Sequence, residues 1–334
     1  MKKFALLTAV LFASVGFAYA QFTFCSIDYP SGFGTRLKGI NDNGQMIGSY
    51  VDQYGNEHAL LVKNGKFTPL APNTILGTEY SVGYKSNDRG DVVGFVCDDI
   101  ACHGFLLSKG VLTTFDYPGA SDTYAASINE FGTIVGYWDL YDAQGNFLYE
   151  QGFTYKNGNF TELTYPGSGD TAPVGNNDFN VVVGIWDTGP TSPTGSGFVE
   201  WMGQFISFQA GFPDVAVTQA AGINDLGLIV GQEYTSYEYD NNQGHGFLAV
   251  GPFFTQLNYP GAMETTGWGI NWAGQMVGSW YDQGFGAHGW LIRPGKKTCP
   301  KFRVLEPRQL SSTPNARASG RKISLPARLQ RMSK

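Results

Sequence analysis

The sequence predicts an all-β chain folded as a six-bladed β-propeller of four-stranded blades, closed by its N-terminal strand pairing with the last blade. Three observations carry this prediction. The pattern Asn-x-x-Gly-x-Φ-Φ-Gly, with Φ apolar and the first Gly replaced by Asn in the fourth copy, recurs six times, at Asn41, Asn87, Asn129, Asn177, Asn224 and Asn271, with spacings of 46, 42, 48, 47 and 47 residues. A fixed period of about 40–50 residues suits one four-stranded blade. Glycine is abundant (45 residues), aromatics are 15% and charged residues only 15%, a composition of short strands and tight turns, with no long stretch at helical spacing. Finally, a Pro turn that follows most copies is missing after the sixth and stands instead ahead of the first, as Asp28-Tyr29-Pro30.

Taken in chain order, residues 1–20 read as a signal peptide. Lys2 and Lys3 precede an apolar run from Phe4 to Phe17, and Ala18-Tyr19-Ala20 is a small-x-small cleavage site, so cleavage is expected after Ala20. No later stretch approaches the roughly 18 apolar residues of a membrane span. The chain is therefore expected to be secreted, extracellular or periplasmic, and to work as a monomer. Residues 21–299 form the six-repeat propeller. Residues 300–334 carry nine Lys or Arg and one acid, with few large apolar side chains, and read as a basic disordered tail. The propeller region carries 11 Lys or Arg against 27 Asp or Glu, which argues against nucleic acid as a partner because phosphates would be repelled.

Thr35 to Leu70 serves as the type blade. Arg36–Ile40 is expected as the first strand, Asn41-Asp42-Asn43-Gly44 as a tight turn, Gln45–Val51 as the second strand, His58–Lys63 as the third, and Lys66–Leu70 as the fourth after the Asn64-Gly65 turn. Met46-Ile47 are consecutive apolar residues, so both faces of the second strand are buried, as in a blade sandwiched between two others. The turn glycine recurs at Gly90, Gly132, Gly227 and Gly274, and Asn180 takes its place in the fourth copy because Asn tolerates left-handed backbone. Thr35, Thr123, Thr171, Thr218 and Thr265 each precede their Asn by six and read as hydrogen-bonders of the blade.

In copies one to five the fourth strand leads to a Pro turn: Ala71-Pro72, Tyr117-Pro118, Tyr165-Pro166, Phe212-Pro213 and Tyr259-Pro260. The turn ahead of copy one implies that Phe22–Ile27 supplies the last blade's missing outer strand, which removes an exposed edge. Four cysteines allow three pairings, and two disulfides are expected in an exported chain. Cys97 and Cys102 would pin one loop, and closure of the ring would bring Cys25 near Cys299.

His103-Gly104-Phe105, His245-Gly246-Phe247 and His288-Gly289-Trp290, with the looser His58-Ala59-Leu60, resemble the His-Ala/Gly-Phe signature of the extracellular HAF-repeat proteins of bacteria. Gly39-Ile40-Asn41-Asp42-Asn43-Gly44 and Phe115-Asp116-Tyr117-Pro118-Gly119-Ala120 fit other parts of that repeat. Copies three and four depart from it, with Gln151 and Ser196 in place of His. The resemblance covers about 21–295 and implies an extracellular location without an established activity.

The four histidines occupy one repeat position, too far apart to share an ion, and each is expected to bond a turn of its own blade. No metal centre is therefore assigned to them. The segments joining second to third strands hold the candidate ligand-binding residues: Trp138, Asp139, Trp186, Asp187, Tyr234, Trp280, Tyr281 and Asp282. Aromatic rings can stack on sugar faces, and carboxylates can accept from hydroxyls or hold Ca²⁺. The expected function is a secreted binding scaffold that recognises carbohydrate or a cell-surface polymer through this acidic, aromatic face, without a cofactor unless Ca²⁺ binds the loop carboxylates. One alternative is a scaffold for an extracellular protein. Another is a polysaccharide-active hydrolase or lyase, although the common nucleophile, zinc, phosphate-loop and dinucleotide motifs are absent and no catalytic residue is assigned.

Overall fold

A computed structural model describes residues 22–70, 80–189, 192, 194–235, 244–295, 297–304 and 311–312. The expected signal peptide and the Ala71-Pro72 turn lie outside them. Six antiparallel sheets follow one another in chain order, making the six-bladed propeller that the repeat count predicts. Blade 1 runs outward from Gly34–Ile40 through Met46–Val51 and Glu57–Lys63 to Lys66–Pro69. Blade 6 is built from Glu264–Ile270, Met276–Tyr281 and Ala287–Pro294 and takes Phe22–Ile27 as its outer strand. That pairing is antiparallel and runs from Phe22 opposite Pro294 to Ile27 opposite Gly289. Cys25–Cys299 and Cys97–Cys102 are both disulfide-bonded.

The repeat pattern is explained by three physical requirements. First, Met46-Ile47, Val92-Val93, Ile134-Val135, Val182-Val183 and Met276-Val277 are all buried, because each second strand is covered on both faces by neighbouring blades. Second, every inner strand carries a β-bulge, three residues before its Asn. The motif's last Gly faces the kinked strand. A Cβ there would come within 2.1 Å of an inner-strand carbonyl oxygen at Gly48, Gly94, Gly136, Gly184, Gly231 and Gly278. Third, the motif Asn closes a ring of hydrogen bonds. Asn41 Nδ2 donates to Asn87 O, Asn87 to Asn129 O, Asn129 to Asn177 O, Asn177 to Asn224 O, Asn224 to Asn271 O, and Asn271 back to Asn41 O, at 2.9–3.4 Å. Each Asn Oδ1 meanwhile accepts from the backbone N–H four residues on.

These turns mark one end of the ring; the Pro turns and the second-to-third connections mark the other, called here the loop end. Between the two ends the axis is filled. Lys38 Nζ lies 3.3 Å from the Trp268 ring centroid, Tyr84 packs against Trp268, and Lys85 Nζ reaches across from blade 2 to Ala221 O of blade 5 at 3.2 Å.

Within the stretch expected to be a disordered tail, two short segments pair with the ring. Arg303–Val304 runs parallel to the outer strand of blade 1 and Ser311–Ser312 parallel to Val111–Phe115 of blade 2. Residues 305–310 and 313–334 lie outside the described residues. No helix among the described residues is long and apolar enough to cross a membrane.

Candidate functional site

The sequence assigned the candidate residues to connecting loops. The structure corrects this: Trp138 and Asp139 lie on Ile134–Tyr141, Trp186 and Asp187 on Val182–Asp187, Tyr234 on Leu228–Tyr234, and Trp280 and Tyr281 on Met276–Tyr281. Only Asp282 is in a connection. The second strands run further than expected because their polar and aromatic ends stay paired with inner strands, as with Asp139 opposite Asp122 and Tyr281 opposite Glu264. Strand alternation then divides the set in two.

The tryptophans turn toward the outer connections. Trp138 stacks on Tyr117 at 4.8 Å, Trp186 on Tyr165 at 4.1 Å, and Trp280 on Tyr259 at 4.4 Å, each within 7° of parallel. Trp280 also stacks on His288 at 4.2 Å, so both its faces are covered. These indoles fasten the Pro turn of each repeat to its second strand. The repeat histidines brace the same region: His103 Nδ1 bonds Asp116 at 2.8 Å and its Nε2 faces Asp98, while His288 bonds Asp28 at 2.8 Å and faces Asp282. His58 bonds Asp52, and His245 bonds Asn258. Each stays within its own blade, as expected. Asp116 holds the His103 imidazole above its ordinary range despite partial burial.

Asp282 is committed to its own turn. Its Oδ1 accepts from the N–H groups of Gly284 and Gly286 at 2.8 Å, which with His288 holds its carboxyl below the usual range. Asp52, Asp98 and Asp142 close their connections the same way. These connections are compact Asx turns, and among the described residues no three His, Cys, Asp or Glu side chains group as metal ligands would.

Asp139, Asp187, Tyr234 and Tyr281 take the opposite face. At the loop end of the axis they join Asp122, which the sequence also places on this face, and further side chains that the sequence reading missed. Blade 3 presents Asp122, Asp139 and Glu150 directly opposite one another on three adjacent strands, and blade 4 presents Asp170 opposite Asp187. All five are buried. Blade 6 presents Glu264 beside Tyr281, and blade 1 presents Arg36 and Glu57. The row is stitched between blades: Tyr80 Oη donates to Glu57 Oε2 at 2.9 Å, Cys102 N to Asp122 Oδ1 at 2.7 Å, Glu150 N to Asp170 Oδ1 at 2.8 Å, and Tyr234 Oη to Glu264 Oε1 at 3.4 Å. Tyr281 bonds Arg36 across the seam between blades 6 and 1.

Burial sets the electrostatics here. It raises the Glu264 carboxyl to about 7 and lowers the Lys38 ammonium to about 7, the latter helped by nearby Arg36. Burial also raises Asp122. Glu57 is driven upward by burial, but Arg36 at 3.2 Å overcomes this and holds it below the usual range. The signal that would have located these residues is positional. Tyr80, Asp122, Asp170 and Glu264 all stand seven residues before a repeat Asn, one strand face from the bulge.

No family model matches the chain, and no curated protein matches it. Solved structures share its general shape at low identity. Aleuria aurantia lectin, as a mutant in complex with Fucα1-6GlcNAc, is 10% identical with a TM-score of 0.48, over 79% of this chain and 95% of that one. Pyrococcus horikoshii acylaminoacyl peptidase is 11% identical with a TM-score of 0.46, over 77% of this chain and 44% of that one. The β-propeller domain of the trilobed protease from Pyrococcus furiosus is 8% identical with a TM-score of 0.41, over 78% and 94%.

Proposed function

We propose that this protein is an exported binding scaffold that takes a carbohydrate at the loop end of its axis. The observation that carries this reading is the row of buried carboxylates and phenols there. Like charges set directly opposite one another on adjacent strands cost stability, and buried polar groups cost more than the apolar residues that would fill the same space. Such an arrangement is expected where a ligand uses it. Carboxylate acceptors and phenol donors suit a ligand bearing many hydroxyls. Aromatic side chains lie at the same end, with Phe33 exposed and Tyr80, Tyr141 and Tyr234 partly buried. The outer tryptophans each give one face to a Pro-turn tyrosine and so hold the frame. Two disulfides fit export, with the signal peptide removed after Ala20.

A glycan array probed with the mature protein, with and without Ca²⁺, tests the reading. Binding is expected to one group of glycans, and to fall at least tenfold in Asp139→Asn and Asp187→Asn variants that keep the wild-type near-ultraviolet circular dichroism. An array with no binder in either condition overturns it, and a pull-down that yields one stable protein partner would put the protein-scaffold reading in its place. A polysaccharide-active enzyme is the second reading, favoured by the adjacent Asp122 and Asp139 carboxyls, since paired carboxyls roughly 5–9 Å apart perform glycoside hydrolysis. Turnover of a polysaccharide panel that disappears in Asp139→Asn would promote it.

A further inference from the structure

At the end of the ring opposite the loop end, the seam between blades 3 and 4 opens into a cavity of about 350 Å³. Ligand pockets are commonly of this size, apolar with a few convergent polar groups. Val135 of blade 3 and Val182 of blade 4 line it and are buried. Blade 4 sets Asn176, Val182 and Glu200 opposite one another on three adjacent strands, and blade 3 sets Val135 opposite Thr154. Three lining positions that are apolar in at least four of the other five blades turn polar here. Glu200 stands where the other blades have Val62, Leu107, Tyr155, Ala249 and Ile292, and Thr154 where they have Leu61, Leu106, Val199, Leu248 and Leu291. Asn176 stands where Ile40, Ile128, Ile223 and Ile270 are buried, and where blade 2 has Ser86.

Asn176 is only 6% exposed. Its Nδ2 donates across the seam to Thr133 O at 3.0 Å, but its Oδ1 has no partner among the described residues. A buried acceptor without a donor destabilises the fold, and a ligand's donor would relieve that cost. The Glu200 Oε1 atom accepts from Gly203 N at 2.6 Å, and no Lys, Arg or His among the described residues pairs with this carboxylate. The rim inverts the pattern of the lining. Phe179, Trp201 and Met202 border the cavity and are exposed, the last two at a hairpin held by Lys63-Asn64, Ser108-Lys109 and Lys156-Asn157 in blades 1 to 3. The same end carries Asp42, Asp88, Glu130, Asp178 and Asp225, each directly after a repeat Asn, and their field draws cations.

We propose that this seam binds a primary alkylammonium group, which donates to Asn176 Oδ1 with its charge balanced by Glu200 while its alkyl arm lies against Val182, Trp201 and Met202. An ammonium brings three donors and a positive charge, so it answers both the unpaired oxygen and the unpaired carboxylate; a neutral polyol answers only the first. A free diamine and a lysine side chain both carry this group. The site lies at the other end of the ring from the proposed carbohydrate site and does not depend on it.

Calorimetric titration of the full mature chain with cadaverine and with Nα-acetyl-lysine amide tests this, with 1,5-pentanediol as the neutral control. A Kd on the order of 1 mM or tighter is expected for at least one amine, and the tighter of the two identifies the source. The diol should bind about tenfold more weakly or worse, and Glu200→Gln and Asn176→Ile should each weaken the amine by about tenfold or more. Asn176→Ile restores the residue of four other blades, so its thermal midpoint should equal or exceed that of the wild type while binding is lost, a combination that a purely structural Asn176 would not give. Absence of binding by both amines overturns the proposal, as does a diol that binds as tightly as the amine, or amine affinity unchanged in folded Glu200→Gln. Amine binding that is lost in Asp139→Asn and kept in Glu200→Gln overturns it too, because the amine would then sit at the loop end.

Discussion

At the scale of single residues, the alternation of side chains along a strand decides which groups reach the axis. Trp138 and Asp139 are neighbours in sequence, yet one fastens a Pro turn and the other faces a buried row of carboxyls. The sequence displayed the residue types but not their parity, because parity depends on where each second strand ends, and these strands continue past their apolar core. Glu264 was overlooked for a related reason: an isolated Glu at the start of a strand looks like any surface acid until the ring half-buries it. Its titration is a direct check. Folded Glu264 holds its proton to about 7, whereas its ordinary value is 4.5. Between those values the folded state binds more protons than the unfolded state, so rising pH lowers stability there. Glu264→Gln should match wild type near pH 4 and exceed it by about 3 kcal/mol at pH 8, read from urea unfolding across that range. A constant offset at every pH would show that Glu264 is not buried as described. Lys38 acts in the opposite sense: its cost is present below about 7 and is relieved as pH rises toward 10.5.

At the scale of the element, the motif was legible as a period, and the structure supplies the reason for each position. The two glycines of a copy do different work. Gly227 sits at φ 76° with open space around its missing Cβ, and the fourth copy places Asn180 at the same position with φ 54°. Gly227→Asn should therefore cost no more than about 1 kcal/mol. Gly231 has ordinary backbone, but a Cβ would lie 2.1 Å from Gln219 O. Gly231→Ala must displace the bulged inner strand and should cost about 3 kcal/mol or more. Asn224→Ala breaks one link of the axial ring and strips Leu226 and Leu228 of their side-chain acceptor, for an expected loss of about 1–3 kcal/mol. Chemical denaturation of the three variants gives the order directly. A Gly231→Ala protein as stable as Gly227→Asn would contradict the close approach that the repeat is built around. The threonine six residues before the Asn in five copies accepts the N–H of the Pro-turn tyrosine in four of them and that of Ala210 in the fifth, so its recurrence is structural.

At the scale of the molecule, closure is what makes six weakly similar units one body, and it was readable from a single displaced Pro turn. The buried row at the loop end was not, because it exists only once neighbouring blades are set side by side; Tyr281 meets Arg36 only where the last blade meets the first. Two disulfides sit at very different places in this scheme. Cys25–Cys299 joins residues 274 apart and locks the seam, whereas Cys97–Cys102 joins residues five apart within one connection. In the chain-entropy account, cross-linking the longer loop restricts the unfolded chain far more, by about 5 kcal/mol against about 2 kcal/mol for the short one. Replacing Cys25 and Cys299 together by Ser should therefore destabilise the ring by more than twice as much as replacing Cys97 and Cys102, with the strand register from Phe22 to Ile27 retained. Equilibrium unfolding of the two double variants measures the ratio, and hydrogen exchange at Phe22–Ile27 reports whether the seam stays paired without its bond. If the short-loop variant proves the less stable of the two, the dominant contribution lies in the packing of Cys97 and Cys102 against the axial core, where both are buried among Phe95 and Tyr124, and closure then rests on the six-residue strand pairing alone.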